Sequence, residues 1–369
     1  MTNPYAAVAI TKHGVDKARA LAERLPGIDL YYLSKWARGD EAQLGYRLFE
    51  GPVKPVLQDL FKAYKGLMIF ISLGAVVRML APVLEDKTKD PAVIVIDECG
   101  RHAISVLSGH LGGANELTLA AAKAIGAKPI ITTASDVQET IPADLFGREF
   151  GWEIEGYGKM VSVSASLVNE ERIAIVQEAG ETRWWTYDKP LPAHIAVYSH
   201  AQEAMQAEFD AALVITDRLL EADEEAALLE NGVLYRPKTL VLGIGCNRGT
   251  SAEEIERMIT STLSELRLSV KSVRNAATIL LKKDEEGLLD VCRKHKWKLE
   301  FYTPDELNQI PLKNPSAAVY KYTGAYGVSE PAALRSSGAA EWLLEKRKSG
   351  NVTLSIARVP LASGGAAGS

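Results

Sequence analysis

The sequence predicts an α/β protein, built as three α/β domains whose layered sheets are flanked by helices. Three observations lead there. Strand and helix signals alternate through about the first 135 residues. Leu67–Ser72 and Ala92–Ile96 are continuous apolar runs, the pattern of strands buried on both faces. A fresh strand, glycine turn and helix begin near Thr239, which marks a new domain. The expected boundaries are residues 1–137, 138–238 and 239–361, and residues 362–369 form a Gly/Ala/Ser tail with no core-forming residue, expected to be disordered.

In the first segment, Tyr5–Thr11 is a β-rich run. Residues 15–25 place Val15, Ala18, Leu21, Ala22 and Leu25 on one helical face, and Pro26-Gly27 stop that helix. Ile28–Leu33 is a short strand, and residues 53–64 are amphipathic again. Ala103–Leu107 reads as one more strand, Leu117–Ile125 as an alanine-rich helix closed by Gly126, and Lys128–Thr132 as a strand. The middle segment is less regular. Gly156–Asn169 predicts a helix, while Arg172–Gln177, Ile195–Tyr198 and Ala212–Thr216 predict strands. Trp184 and Trp185 read as packing anchors or a binding lip, with packing the first reading for any single Trp. In the third segment Leu240–Ile244 is a strand, and Thr250 or Ser251 can cap the helix that follows. Ser269–Val273, Ala277–Leu281, Lys298–Tyr302 and residues 352–358 are further strands, with a helix at residues 287–294.

Composition narrows the function. The 369 residues carry 42 Lys+Arg against 47 Asp+Glu, a net charge of −5, which disfavours nucleic acid and anionic membranes as partners. Three scattered cysteines make neither a disulfide framework nor a cysteine zinc site. His102/His110 and His194/His200 show no recognised metal-ligand spacing, so no metal site is expected. No signal segment or membrane-spanning run is read, and the expected location is the cytoplasm.

Chemistry concentrates in Asp97-Glu-Cys-Gly-Arg101 and Ser108-Gly-His-Leu-Gly-Gly-Ala-Asn-Glu-Leu-Thr118. A buried strand ending in two carboxylates implies a polar cleft. Gly109, Gly112 and Gly113 feed a helix whose N-terminal N–H groups suit an oxyanion. His110 lies inside that turn and Glu98 near the first, so either serves as a general base; Asp97 reads as a turn residue and Glu116 as a helix-dipole partner. Ser72-Leu-Gly-Ala-Val-Val-Arg78 has the same strand–glycine–helix shape, with Arg78 as a carboxylate clamp. Gly243-Ile-Gly-Cys-Asn-Arg-Gly249 fails the dinucleotide spacing because Arg248 stands at the last glycine position. Cys246 reads as an inert thiol. Tyr320–Pro331 reads as a rigid loop able to wall a flat ligand.

These motifs together resemble the cobalt-precorrin 5A hydrolase family, CbiG. The resemblance is carried by Ile71–Arg78, Val95-Ile-Asp-Glu98, Leu107–Glu116 and Ile131-Thr-Thr-Ala-Ser-Asp136. In the third segment it is carried by residues 242–251, 327–333 and 356–360, and this part also resembles the stand-alone CobE proteins. It implies opening of the ring A δ-lactone of a cobalt-bound tetrapyrrole, with release of acetaldehyde to give cobalt-precorrin 5B. Cobalt then belongs to the substrate, and no protein cofactor is expected. Lactone attack needs a base and oxyanion donors, assigned to His110 or Glu98 and to the amides of Gly112 and Gly113. The candidate substrate-binding residues are Gly74, Arg78, Arg101, Gly112, Gly113, Asn115, Glu116, Gly245, Arg248 and Gly327. The tetrapyrrole is the expected partner; a homodimer and transient contacts with neighbouring pathway enzymes are open. A non-catalytic corrinoid binder or delivery protein is the alternative.

Overall fold

A computed structural model describes residues 3–86 and 89–360; the expected disordered tail lies outside them. The chain folds into two compact units, Met1–Leu145 and Phe146–Ser369. The described residues carry three helix-flanked sheets, one for each sequence segment, as an α/β class requires. The second and third sheets share one unit.

The first sheet contains β1 (Tyr5–Ala9), β2 (Ile28–Leu33), β3 (Arg47–Phe49), β4 (Gly66–Phe70), β5 (Ala92–Ile96), β6 (His102–Leu107) and β7 (Lys128–Ile130). Their order is β3-β2-β1-β4-β5-β6-β7. β1 through β5 run parallel, and the order reverses between β1 and β4. Both sheet faces are covered, and the side chains alternate accordingly. Ala7, Ala9, Met68, Phe70, Ile94 and Ile96 pack toward helices Lys12–Arg24 and Ala114–Ile125, while Ala6, Val8, Leu67, Ile69, Val93 and Val95 pack toward helices Val53–Ala63 and Leu73–Leu80.

β6 breaks the pattern. It runs antiparallel to β5, with Ile96 opposite Ala103 and Val93 opposite Leu107, and β7 follows β6 in parallel. The residues between β5 and β6 explain the reversal. Asp97 accepts hydrogen bonds from the backbone N–H of Cys99 at 2.9 Å and of His102 at 2.5 Å, and Gly100 supplies a φ of +67°. Asp97 is therefore the turn residue expected. The two carboxylates at the end of β5 mark a hairpin rather than a cleft.

The second unit carries β8 (Glu153–Glu155), β9 (Ile173–Gln177), β10 (Ile195–Tyr198), β11 (Ala211–Ile215) and β12 (Gly232–Arg236), ordered β10-β9-β11-β12-β8. Its other sheet holds β13 (Leu240–Cys246), β14 (Val273–Ile279), β15 (Lys298–Tyr302), β16 (Leu344–Ser349) and β17 (Val352–Arg358), ordered β15-β14-β13-β17-β16. Trp184 packs edge-on against Phe146, and Trp185 against Tyr187, so both are the packing anchors expected. The two sheets are joined through Asp217, which is 1% exposed. It accepts from Arg358 Nε at 2.7 Å and Nη2 at 2.8 Å, and from the Thr239 hydroxyl at 2.7 Å.

Several expectations change in the third segment. Ser269–Val273 and Ala277–Leu281 are not two strands: a short 3-10 turn, Val270–Ser272, leads into the single strand β14. Tyr320–Pro331 is not a loop but parts of two helices, Ala317–Thr323 and Ser329–Ser337, with Tyr320 stacked on Tyr326.

Candidate functional site

His110 follows β6, in a turn whose shape is dictated by its neighbours. Ser108 adopts φ +56° and Gly113, at the helix N-cap, φ +84°. A Cβ on Gly112 would lie 2.3 Å from Ser108 Cβ and 2.8 Å from the Ser108 carbonyl oxygen, so only glycine lets the turn close. Much of the expected anion cradle is used internally. The N–H of Gly113 donates to the His110 carbonyl at 2.9 Å, that of Ala114 to Ser108 at 3.1 Å and that of Asn115 to Gly109 at 3.0 Å. The Gly113 N–H, expected as an oxyanion donor, is thus taken up within the turn, and Gly113 stands at the helix N-cap.

Around the imidazole stand residues from a second stretch. Asp144 brings carboxylate oxygens to 3.1 and 3.2 Å from His110 Nδ1. Asp136 Oδ2 lies 3.0 Å from Nε2, and Ser135 Oγ 3.1 Å from the same nitrogen. The His110 side chain is 16% exposed, Asp144 18% and Asp136 40%, so the Asp136 side opens to solvent. The carboxylates favour the charged ring, and Asp144 above all raises the His110 pKa against the opposing effect of burial.

Asn115 is 5% exposed and holds this arrangement from beneath. Its Oδ1 accepts from Ser105 Oγ at 2.7 Å, and its Nδ2 donates to Thr133 Oγ1 at 3.0 Å and Asp136 Oδ2 at 2.8 Å. The polar atoms of the Asn115 side chain, expected as a substrate contact, are thus engaged inside the protein, one of them on Asp136. Glu116 is exposed in the first turn of its helix, as a dipole partner would be. Asp136 stands in a motif quoted for the family resemblance, but no local signal marks its carboxylate as a partner of His110. Asp144 lies 34 residues from His110 in sequence and had no signal at all.

Glu98 is not part of this group. It is exposed at the β5–β6 hairpin, while His110 follows the opposite end of β6. Four residue steps along β6, from Ala103 to Leu107, separate the ends, roughly 13 Å along the strand. The reversal of β6 thus places the two expected bases at opposite edges of the sheet, and no shared base site forms. Gly74, Arg78 and Arg101 lie at the Glu98 edge. Gly74 is exposed beyond β4, and Arg78 turns back to donate to the Gly74 carbonyl at 3.2 Å. Arg101 is exposed in the hairpin.

The remaining candidates belong to the second unit. Arg248, 67% exposed, pairs with Asp284 at 3.0 Å and Glu285 at 3.5 Å, so its charge is already met. The glycines there serve close packing. A Cβ on Gly245 would lie 2.5 Å from Thr353 Oγ1, one on Gly327 2.6 Å from Leu312 Cδ1, and one on Gly243 1.9 Å from the Ser329 carbonyl oxygen. Cys246 is half-buried, and burial pushes its thiol pKa up, as an inert thiol requires. Among the described residues, no three His, Cys, Asp or Glu side chains are placed to hold a metal, and no helix is long and apolar enough to cross a membrane. The two aspartates flank His110 on different ring nitrogens, which suits proton transfer rather than ligation of one ion.

Comparison with known proteins covers most of the chain. Three family profiles match in order: "Cobalamin synthesis G N-terminal" at residues 55–136, "Cobalamin biosynthesis central region" at 141–237 and "Cobalamin synthesis G C-terminus" at 240–357. The cobalt-precorrin-5A hydrolase of Priestia megaterium is 59% identical over 356 residues, 96% of this chain and 95% of that protein. Its counterpart from Salmonella typhimurium is 30% identical, over 94% of this chain and 96% of the relative. A crystal structure of CobE, from the cobalamin biosynthetic pathway, is 32% identical over 33% of this chain and 90% of its own, with a TM-score of 0.31.

Proposed function

The chain belongs to the cobalamin synthesis G family, CbiG, and from that membership we propose that it is a cobalt-precorrin-5A hydrolase. The likeness to the Priestia megaterium hydrolase along almost the whole of both chains carries this reading. The substrate is a cobalt-bound corrinoid intermediate, and the reaction opens its ring A δ-lactone with release of acetaldehyde.

Lactone hydrolysis needs a group that moves protons and a solvent-accessible place for water. The His110 group supplies both, since a mostly buried imidazole meets a carboxylate that is open to solvent. We place the reacting lactone at this edge, with His110 and not Glu98 handling protons. The N–H of Gly112 remains the candidate oxyanion donor, because among the described residues no backbone partner engages it. Gly74, Arg78 and Arg101 stand as separate candidates for the substrate's other carboxylates. Arg248, Gly245, Gly327 and Glu116 are weaker candidates on their local contacts.

The test is acetaldehyde release from cobalt-precorrin-5A by the full chain. We expect stoichiometric acetaldehyde from the wild type and a fall of about 100-fold or more for His110→Ala. Glu98→Gln should keep the native rate. An intermediate bound with its mass unchanged would instead identify a corrinoid carrier.

A further inference from the structure

We propose that His110 works as an imidazolium acid, protonating the departing ring oxygen of the lactone, with Asp144 as its positioning residue and Asp136 as the base for water. This rests on the hydrolase reading above and assigns the direction of each proton. The argument is geometric. A neutral imidazole has one N–H and one acceptor nitrogen. His110 has carboxylate oxygens within hydrogen-bond distance of both nitrogens, Asp144 at Nδ1 and Asp136 at Nε2, and carboxylates only accept. Both contacts are satisfied only when both nitrogens carry hydrogen. The general-base role expected for His110 is then unavailable in the resting site, because no nitrogen lone pair is free.

Two features divide the roles between the carboxylates. Asp144 embraces Nδ1 with both oxygens and is mostly buried, so it fixes the ring and its charge. Asp136 is more open and is held by Asn115 Nδ2 at 2.8 Å, so it faces incoming water. Ser135 Oγ shares the Nε2 hydrogen as an acceptor at 3.1 Å. Asp144 and Asp136 are the charged groups paired with the ring among the described residues.

The step balances as follows. Water adds to the lactone carbonyl and gives its proton to the Asp136 carboxylate. The acyl carbon–ring oxygen bond breaks, and the departing oxygen takes the Nε2 proton of His110. The proton on Asp136 then passes to Nε2 across their 3.0 Å contact, which restores both groups. One water is consumed, and a carboxylic acid and a hydroxyl are formed. No oxidant, reductant or metal is required.

The experiment combines two readouts on the full chain. In protein carrying 15N-histidine, with the His110 signal assigned by its loss in His110→Gln, both ring nitrogens should be protonated at neutral pH. The ring should lose its proton above the ordinary imidazole range. In parallel, acetaldehyde release from cobalt-precorrin-5A is followed against pH. Wild-type kcat should fall on the alkaline side as the acid is lost. In Asp144→Asn that limb should move to lower pH by about one unit or more, with KM little changed. A neutral His110 in the wild type at pH 7, or coincident alkaline limbs in wild type and Asp144→Asn, would overturn the inference. If Asp144→Asn does not fold, the wild-type nitrogen titration decides. Wild-type protein that releases no acetaldehyde would remove the hydrolase reading together with the acid role, whereas coincident limbs in an active enzyme would remove the acid role alone.

Discussion

A histidine held between two aspartates links catalysis to stability through the same protons. The folded-state pKa of His110 is raised, chiefly by its hydrogen bond to Asp144. A raised value means that the folded protein binds the proton more tightly than the unfolded chain. The resulting stability is therefore present in full below the ordinary imidazole range and is lost as pH rises through the raised value. His110→Gln should remove this component. The difference in urea midpoint between wild type and variant should be larger near about pH 6 than near about pH 9. An equal difference at both values would mean that the two carboxylates do not favour the charged ring. Legibility at this scale was uneven. His110 stood out because an imidazole beside a helix N-terminus and a carboxylate is a set that general-base hydrolysis can use. Asp144 did not, because its role depends on tertiary packing that no local spacing reports.

At the scale of the element, the turn from β6 into helix Ala114–Ile125 is closely constrained, by the positive φ of Ser108 and Gly113 and by the tight fit at Gly112. Gly112→Ala would press a methyl group against Ser108 from the far side of that turn. The expected cost is about 1–3 kcal/mol in unfolding free energy, the usual range for overpacking. Because the displaced segment carries His110, acetaldehyde release should fall further than stability alone explains; a variant with native rate and native midpoint would show that the turn has room to relax. The continuous runs at β4 and β5 were readable because burial on both faces leaves no polar position. The direction of β6 was not, since Ala103–Leu107 has the same composition whichever way it runs. Asp97 was readable as a turn residue, but a turn residue alone does not say which way the next strand runs. Four short strands, β3, β8, β12 and β16, escaped notice. Three-residue elements such as β3 and β8 are too short to show a period, and β16 reads Leu-Glu-Lys-Arg-Lys-Ser, an edge strand whose polar composition guards against unwanted pairing.

For the whole molecule, the second unit depends on how Asp217 is satisfied. Removing Arg358 would leave that carboxylate buried with only the Thr239 hydroxyl as a side-chain partner. Arg358→Met, which keeps most of the apolar stem, should destabilise this unit by about 3 kcal/mol or more. The change would be read as an earlier denaturation midpoint monitored by tryptophan fluorescence, and an unchanged midpoint would refute a tie between the two sheets through this pair. The ending Ile356–Pro360 was legible as a motif of the family; its task of joining two sheets was not, because Asp217 lies 141 residues away.

The hairpin reversal at β5–β6 has a practical consequence for watching this protein at work. Of the three thiols, Cys99 is the exposed one and sits at the hairpin, while Cys246 is half-buried and Cys292 is buried, with its pKa pushed up to about 11. A maleimide dye should therefore attach at Cys99 without any engineered substitution. The label would stand at the far edge of the sheet from His110, and a coloured corrinoid arriving near it would quench its emission. The native chain thus carries its own optical reporter, placed where it records occupancy of one rim of the sheet while leaving the other untouched.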